Sequence, residues 1–276
     1  MPLLNQFKIR NRKVRVILRL ALVFYLLAGI ALYFFQEKLL FHSRELPADH
    51  AFKFSIPFRE LNLAVTEEKN LSIIQFTVPD SICKGVVLYF HGNRRNVERY
   101  AEYAPQFTSQ GYEVWMMDYP GFGKTTGKRS EQVMYNDATE LYRMALARYS
   151  KDSIVIYGKS LGTGLACYLG SRVDCRRVIL ETPYTSIEGL FNHYAFIYPV
   201  SWMAKYHFPN DQYIKSIDAP VTIFHGTCDG VIPFSQARRL FKSAKAGTEL
   251  ISIEKGIHNN LSSFPLYQHK LDSLLK

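Results

Sequence analysis

Short apolar runs alternate with helical patterns along most of the chain. The helical patterns cover Asn96–Gln110, Glu131–Tyr149, Leu161–Leu169, Pro233–Ala244 and Pro265–Leu275. The apolar runs are expected as strands and cover Leu71–Val78, Gly85–Phe90, Tyr112–Met117, Ile154–Tyr157, Arg177–Leu180, Val221–Phe224 and Glu249–Ile253. Runs that are apolar almost throughout are typical of parallel strands buried on both faces. The pattern therefore predicts an α/β domain over residues 60–276, with a mostly parallel central sheet covered by helices on both faces.

One stretch interrupts this alternation. Residues 184–214 contain nine aromatic residues and two prolines, without a strand pattern. We expect an insertion that forms a short cap over one end of the sheet. Ligands of such sheets bind at the carboxyl ends of the strands, so the polar residues that follow each strand are the candidates for chemistry.

The N-terminal region has a different pattern. Leu20–Phe35 is uncharged over sixteen residues, and Val16–Leu18 extends it across Arg19. A helix needs about 20 apolar residues to cross a bilayer, a length reached here if Arg19 extends to the headgroups. A buried core helix and a cleaved signal peptide are the alternatives. A helix apolar on every side does not suit a chain of this size, and bulky residues at 33–36 do not suit signal cleavage. We expect a membrane anchor over 16–36, a basic tail over 1–15 and a linker over 37–59.

Charge supports the membrane interpretation. The net charge is +10, but six basic and no acidic side chains lie within residues 1–19, which leaves +4 for the rest. A basic excess confined to a short tail before an apolar span favours a membrane over a nucleic acid as partner. By the positive-inside rule we expect the N-terminus in the cytoplasm and the domain that follows on the extracytoplasmic side.

Composition and cysteines limit the remaining classes. Hydrophobic residues make up 47% and charged residues 21% of the chain, which is ordinary globular usage and excludes a fully disordered protein. Four cysteines, Cys83, Cys167, Cys175 and Cys228, form no C-x-x-C pair, so we predict no metal site. An extracytoplasmic domain permits disulfides, with three complete pairings left open.

A G-x-S-x-G motif spans Gly158–Gly162. It lies between a predicted strand and a predicted helix, as a nucleophile elbow must, and Ser160 would be the nucleophile. An ordinary glycine-rich turn is the plain alternative. A phosphate-binding loop is excluded here and at Gly123-Lys124-Thr125, because the required earlier glycines are replaced by Ser153 and Asp118.

A serine nucleophile needs a histidine base and an acid that orients it. In elbow folds the order along the chain is serine, acid, histidine. His258 lies in the polar loop after the last strand, whereas His269 falls in the terminal helix. Asp229 follows the strand Val221–Phe224 and is the predicted acid, with Glu181 after the preceding strand as its competitor.

The oxyanion of the reaction needs backbone donors. The N–H of Leu161 follows the nucleophile directly, and the N–H of Asn93 lies after an earlier strand, where the second donor is expected. The nearby His91 and His225 are interpreted as buried structural histidines.

These motifs together resemble one superfamily. Tyr89–Asn93, Asp118–Gly123, Gly158–Gly162, His225–Asp229 and Gly256–His258 occur in the order found in the α/β-hydrolase superfamily. The match runs from about Leu61 to the C-terminus and is closest to the membrane-anchored serine hydrolases of the bud-emergence type, similar to the serine-aminopeptidase-like subgroup. Asn259-Asn260 stands where many relatives have Asn-Asp, which touches no triad role.

The resemblance implies an α/β-hydrolase fold and a Ser160, Asp229, His258 triad. Its members include esterases, thioesterases acting on acylated proteins, and peptidases, so it does not name the substrate. We expect hydrolysis of a small-molecule or acylated ester or thioester, without a metal or organic cofactor. A serine peptidase and a membrane-tethered interaction protein with a degenerate site are the alternatives. The cap either walls an apolar acyl pocket or packs without substrate contact; its aromatic candidates are Phe191, Tyr194, Phe196, Tyr198, Trp202 and Phe208.

Overall fold

The computed structural model describes the backbone of residues 2–194 and 197–276, and the side chains of 12–192, 194 and 197–276. Phe196 of the predicted cap, and the side chains of Lys8 and Arg10 in the predicted tail, lie outside these residues.

An eight-stranded sheet forms the centre of the domain. Its strands are β1 (Phe58–Ala64), β2 (Asn70–Phe76), β3 (Gly85–Phe90), β4 (Tyr112–Met117), β5 (Ile154–Lys159), β6 (Arg177–Glu181), β7 (Val221–Gly226) and β8 (Glu249–Ile253). Their spatial order is β8-β7-β6-β5-β3-β4-β2-β1. β1 and β2 pair antiparallel, as do β2 and β4, and all other neighbours are parallel. The carboxyl ends of β3, β5, β6 and β7 therefore meet at one edge.

Helices cover both faces of this sheet. The longer ones are α1 (Pro2–Leu40), α2 (Glu131–Leu146), α3 (Gly162–Gly170), α4 (Ile187–Tyr194), α5 (Phe234–Ser243) and α6 (Pro265–Leu274), and short α-helices occupy Val97–Tyr100, Pro105–Thr108, Val200–Met203 and Asn210–Tyr213. Single 3₁₀ turns lie at Asp80–Ile82, Ala101–Tyr103, Lys151–Ser153, Ile214–Ser216 and Leu261–Ser263.

The central strands are buried on both sides, as their apolar composition predicts. In β3, Val86, Leu88 and Phe90 pack into one hydrophobic cluster, while Val87 and Tyr89 pack into the other. This alternation follows the two-residue period of a strand, so a strand that lies between two clusters needs apolar residues at every position. The α/β-hydrolase fold with a mostly parallel sheet is confirmed.

Three parts of the chain differ from the sequence expectation. β1 was not predicted, because this edge strand alternates half-buried and exposed residues and includes the polar Arg59, Glu60 and Asn62. The predicted linker over 37–59 is packed against the domain: Phe41 and Phe52 are buried, and His42–Ser43 pairs in parallel with Arg94–Arg95.

The stretch predicted as helical over Asn96–Gln110 is helical but not one continuous helix. The chain forms three short helical segments there, the last beginning at Pro105. Proline has no backbone N–H to donate to the preceding turn, and its ring disfavours a helical conformation in the residue before it, so it begins a new helix more readily than it continues one.

α1 is one continuous helix. Its segment Arg12–Leu40 is long and apolar enough to cross a membrane by length and composition, and the best window, with a mean hydropathy of 2.3, is not buried in the protein. The helix nevertheless contacts the cap. Tyr25 and Tyr198 stack with ring centroids 4.6 Å apart, and the Gln36 side chain donates to the carbonyl of Met203 at 3.0 Å and accepts from the N–H of Lys205 at 2.7 Å.

Candidate active site

The turn at Ser160 connects β5 to α3 and has the geometry of a nucleophile elbow. Ser160 itself adopts a φ of 53°, a left-handed conformation that costs free energy in a non-glycine residue. The two glycines permit close packing: a Cβ on Gly162 would lie 2.0 Å from the carbonyl oxygen of Phe90, and one on Gly158 would lie 2.6 Å from that of Gly162. The amide of Ser160 donates to the carbonyl of Glu181 at 2.9 Å, which fastens the turn to β6.

Ser160, His258 and Asp229 form a continuous hydrogen-bonded chain. The distance from Ser160 Oγ to His258 Nε2 is 3.0 Å, and that from His258 Nδ1 to Asp229 Oδ2 is 2.8 Å. The second carboxylate oxygen of Asp229 accepts the N–H groups of Val231 and Ile232 at 2.8 and 2.9 Å. Each oxygen of this buried carboxylate is therefore held, and the imidazole is oriented with one nitrogen toward the serine.

The electrostatics of Asp229 suit that arrangement. Burial alone would raise the pKa of Asp229, but the hydrogen bond and charge of His258 and the two backbone N–H groups outweigh it, and the pKa is lowered. Asp229 is consequently a carboxylate at neutral pH and can stabilise a positive charge on His258.

Asn93 lines the same cavity as Ser160 and His258. Within the described part of the chain, the amide N–H groups of Asn93 and Leu161 donate to no protein acceptor. The end of α1 and the residues just after it hold Asn93 from two sides: the Asn93 side chain donates to the carbonyl of Leu40 at 2.7 Å, and the Asn93 carbonyl accepts the N–H of His42 at 2.9 Å. The two predicted donor residues thus lie beside the serine, with one of them fixed by the N-terminal segment.

Glu181, the competing acid, is directed elsewhere. It forms a buried ion pair with Lys159, and Tyr157 and Tyr267 donate to its other oxygen. Lys159 lies opposite Glu181 in the register of β5 and β6. Burial and the nearby Glu181 charge raise the pKa of Tyr157, which stays a neutral donor. The role of Lys159 was missed because it depends on the strand register, for which the sequence carries no signal.

The other histidines considered from the sequence, His91, His225 and His269, do not join the hydrogen-bonded chain of Ser160. His91 is buried with Nε2 3.2 Å from Asp118, and His225 is buried with Nε2 2.9 Å from the carbonyl of Ile232. His269 is exposed on α6. Burial lowers the pKa of His225 more than the Ile232 carbonyl and the Asp229 charge raise it, so its ring is neutral at pH 7.

A cavity of about 230 Å³ opens above Ser160. Its lining includes the apolar or aromatic residues Leu39, Leu40, Leu190, Phe191, Tyr194 and Val231, and also His42, Arg94, Arg99 and Lys159. The contribution of Leu39 and Leu40 was missed, because they follow the charged Glu37 and Lys38 and lie in the predicted linker.

The cap aromatics named from the sequence divide into different groups. Phe191 and Tyr194 line the cavity. Phe208 is fully buried and packs against Tyr135 and Tyr206, Tyr198 stacks on Tyr25, and Trp202 is 88% exposed. The aromatic composition of the cap therefore serves the core and the contact with α1 as well as the cavity.

The described residues contain neither a cluster of metal-ligating side chains nor a disulfide. They contain no group of three or more His, Cys, Asp or Glu side chains that could hold a metal ion. The four cysteines are unpaired; Cys167 is buried, and burial raises the pKa of Cys175 to about 12.

Comparison with known proteins relates the chain to hydrolases. The family model described as serine aminopeptidase, S33, matches residues 81–214. The chain is 33% identical over 180 residues to lysophosphatidylserine lipase ABHD12 of Macaca fascicularis, covering 58% of this chain and 45% of that protein. It is 30% identical over 192 residues to alpha/beta hydrolase domain-containing protein 17C of Xenopus tropicalis, covering 68% and 61%. The chain thus spans less than two thirds of the length of these relatives.

Solved structures share the fold. The Pyrococcus furiosus esterase Pf2001 superimposes with a TM-score of 0.64 at 17% identity, over 86% of this chain and 96% of that one. Mouse alpha/beta hydrolase domain-containing protein 10 gives 0.57 at 15% identity, over 78% and 96%. At such identities the similarity establishes the architecture alone.

Proposed function

This chain belongs to the α/β-hydrolase superfamily, to its serine-aminopeptidase-like kind, and from that membership we propose that it cleaves carboxylic esters or thioesters through an acyl-enzyme on Ser160. The observation that carries the proposal is the hydrogen-bonded chain from Ser160 Oγ through His258 to Asp229. Those three groups in that geometry are what a serine needs to become a nucleophile.

The reaction divides into two halves. His258 Nε2 takes the proton of Ser160 as Oγ attacks the carbonyl carbon, and the N–H groups of Asn93 and Leu161 stabilise the oxyanion. The protonated imidazole, held by Asp229, then gives its proton to the leaving alcohol or thiol as the C–O or C–S bond of the tetrahedral intermediate breaks, which leaves the acyl group on Ser160. In the second half His258 removes a proton from water and the hydroxide attacks the acyl-enzyme. The bond to Oγ then breaks, His258 returns the proton to Oγ, and the acid is released.

The cavity favours esters and thioesters over the peptidase alternative. Arg94 and Arg99 bring positive charge to its lining, Lys159 is paired with Glu181, and none of its lining residues in the described part of the chain is acidic. An aminopeptidase must bind the ammonium group of a peptide, which a basic wall repels. In the same direction, the name of one relative gives lysophosphatidylserine, an acyl ester, as its substrate.

We propose further that α1 anchors the protein in a membrane, with residues 1–15 in the cytoplasm and the hydrolase domain on the opposite side. The exposed apolar segment Arg12–Leu40 supports the anchor. The basic tail that precedes it supports the orientation.

Attachment and orientation can be tested separately. Deletion of residues 1–36 should release the domain from membranes, whereas neutralising Lys8, Arg10, Arg12, Lys13 and Arg15 should change the orientation and leave the attachment intact. Protease protection in sealed vesicles measures both. A tightly bound truncated protein would show that the anchor is not confined to α1.

Activity is tested with a fluorophosphonate probe and two substrate panels. The wild-type protein should be labelled at Ser160 and should hydrolyse p-nitrophenyl esters faster than aminoacyl anilides. Ser160→Ala should lose labelling and almost all turnover, since only Oγ can form the acyl bond. Undiminished hydrolysis by the purified Ser160→Ala protein would overturn the proposal, and an unlabelled wild-type protein would favour the degenerate, non-enzymatic alternative.

A further inference from the structure

Two arginines give the cavity above Ser160 a positive charge. Arg94 is exposed and Arg99 is half-buried, and both belong to the lining of the cavity. Lys159, which also lines the cavity, is neutralised by Glu181. Within the part of the chain that the structure describes, the lining contains no acid and neither arginine forms an ion pair. The cavity therefore carries two guanidinium charges that no acid of the described residues neutralises.

The acids nearest to these arginines along the chain have other surroundings. The carboxylate of Glu98 is hydrogen-bonded to His50 at 2.9 Å. Glu102 is exposed and lines a different cleft on the surface. A guanidinium group without an acid beside it keeps its N–H donors free for an anionic ligand, and its planar fork matches the oxygens of a carboxylate or a phosphate.

The contacts of Tyr100 place these charges near the nucleophile. The hydroxyl of Tyr100 accepts the N–H of Arg94 at 3.4 Å. Burial raises the pKa of Tyr100, whereas the N–H of Arg94, the charge and hydrogen bond of Arg99, and the charge of Arg94 act to lower it. A Cβ on Gly92 would lie 2.7 Å from the same hydroxyl and 3.5 Å from Cβ of Ser160. The hydroxyl that both guanidinium groups influence is therefore close to the nucleophile.

The same cavity offers apolar surface, from Leu39, Leu190, Phe191 and Val231 among others. Its volume of about 230 Å³ corresponds to roughly eight groups of the size of a water molecule. This is enough for an ester group together with a carboxylate or a phosphate. A ligand that matches both kinds of surface has an apolar part and an anionic group.

We propose that Arg94 and Arg99 form a subsite for an anionic group, a carboxylate or a phosphate, on the ester or thioester that Ser160 cleaves. The arginines bind this group and thereby hold the carbonyl carbon at the serine, and they take no part in breaking the bond. The inference rests on the proposed function, because it names the substrate class of the same site. Neutral esters of equal length are then the poorer substrates.

The first experiment compares anionic with neutral esters, using the full-length protein in micelles of an uncharged detergent. 4-Nitrophenyl hydrogen adipate and 4-nitrophenyl hexanoate end the same acyl chain in a carboxylate or a methyl group. 1-Hexanoylglycerol 3-phosphate and 1-hexanoylglycerol differ by a phosphate on the alcohol side. The measurement is the ratio of kcat/KM for the anionic ester to that for the neutral ester. The ratio should exceed one for at least one pair, and that pair shows which part of the substrate carries the anion.

The arginines are then changed one at a time. Arg94→Gln and Arg99→Gln should each lower the ratio of the preferred pair about 10-fold or more, the usual effect of losing a hydrogen bond to a charged group. Arg99→Lys should lose less than Arg99→Gln, because it keeps the charge and loses the fork of donors. Arg95→Gln is the matched control: it removes the same charge from the neighbouring exposed arginine, which does not line the cavity, and should leave the ratio as in the wild type.

Fluorophosphonate labelling of Ser160 confirms that each variant has a formed site. Ratios at or below one in both pairs, or wild-type ratios in labelled Arg94→Gln and Arg99→Gln, would overturn the inference and leave the esterase proposal standing. An equal fall in Arg95→Gln would also overturn it, because the preference would then follow the general charge of the surface. A wild-type protein that neither reacts with the probe nor hydrolyses any of the four esters would overturn the proposed function instead.

A second measurement tests the subsite without turnover. Calorimetry of the Ser160→Ala protein should show hexyl phosphate binding at least ~10-fold more tightly than hexanol, since the two ligands differ only in the anionic group. Adding Arg99→Gln should reduce this difference, and adding Arg95→Gln should not. If hexyl phosphate binds no more tightly than hexanol, the subsite is contradicted, whatever the protein hydrolyses.

Discussion

Two buried acids stand at the carboxyl edge of neighbouring strands, Glu181 at the end of β6 and Asp229 just after β7. Their side chains are almost equally inaccessible. Asp229 receives His258 on one oxygen and two backbone N–H groups on the other, whereas Glu181 receives Lys159 on one oxygen and two tyrosine hydroxyls on the other. The position of an acid after a strand is therefore not sufficient to identify it as catalytic. The side chain that pairs with its carboxylate distinguishes the two acids.

The two partners, His258 and Lys159, differ in their exposure to the cavity and in their further contacts. His258 is 12% exposed, opens onto the cavity and has a second nitrogen directed at Ser160, so a charge that forms on it is available to the reaction. Lys159 is only 2% exposed and is neutralised by Glu181 next to the elbow. We interpret the first pair as part of the reaction and the second as a fixed support of the strained turn.

The largest expected difference between the two acids is in turnover. Asp229→Asn should lower kcat by about 10⁴, because the amide cannot fix the tautomer of His258 or stabilise its charge. Glu181→Gln should lower kcat far less. Steady-state hydrolysis of p-nitrophenyl acetate by both variants decides the matter, and reversed effects would transfer the acid role to Glu181.

The next expected difference is in stability. Glu181→Gln leaves the ammonium of Lys159 buried without a counter-charge, which should cost roughly 3–5 kcal/mol of unfolding free energy. Asp229→Asn should cost less, since the partner it leaves, His258, opens onto the cavity and can be reached by water. Urea unfolding of the two variants measures this, and equal stabilities would contradict a structural role for the Lys159–Glu181 pair.

A double variant sharpens that result. Lys159→Met together with Glu181→Gln removes both charges, so most of the stability lost in Glu181→Gln should return, to within about 1 kcal/mol of the wild type. If the double variant is no more stable than Glu181→Gln, the cost arises from lost packing and hydrogen bonds and not from the uncompensated charge.

The smallest expected effect is on the pH dependence of stability. Because the pKa of His225 is lowered in the folded protein, this histidine takes up a proton below about pH 6.5 in the unfolded chain but not in the folded one. The free energy of unfolding should therefore fall as the pH is lowered, by at most ~1.4 kcal/mol per pH unit. Asp229, whose pKa is also lowered, adds its loss only below about pH 4. Urea unfolding at pH 7.5 and 5.0 should therefore show a smaller loss in His225→Gln than in the wild type. An equal loss would assign the slope to other groups.

Much of the fold could be read from apolar runs, because a strand buried on both faces has to be apolar at every position. β1 could not, since an edge strand with half-exposed polar residues lacks that signal. In the candidate site, Ser160, Asp229 and His258 could be selected by motif and by their order after successive strands, and the structure brings them within hydrogen-bonding distance. Their roles stay predictions.

The sequence could not predict contacts between residues that lie far apart along the chain. Lys159 meets Glu181 through the register of two strands, and Tyr198 meets Tyr25 across 172 intervening residues. Such contacts depend on how elements are placed, which no local pattern of residues encodes. For the same reason the sequence did not predict that Leu39 and Leu40 of α1 line the cavity.

The hydrogen bonds from Asn93 to Leu40 and His42 have a mechanical consequence. They fasten the end of a 39-residue helix to a residue that lines the cavity above Ser160. With α1 in a membrane, as proposed, a tilt of the helix would pass to Asn93 through these hydrogen bonds and to the cap through the contacts of Tyr25 and Gln36. The proposed hydrolysis would then respond to the thickness of the bilayer that holds the helix.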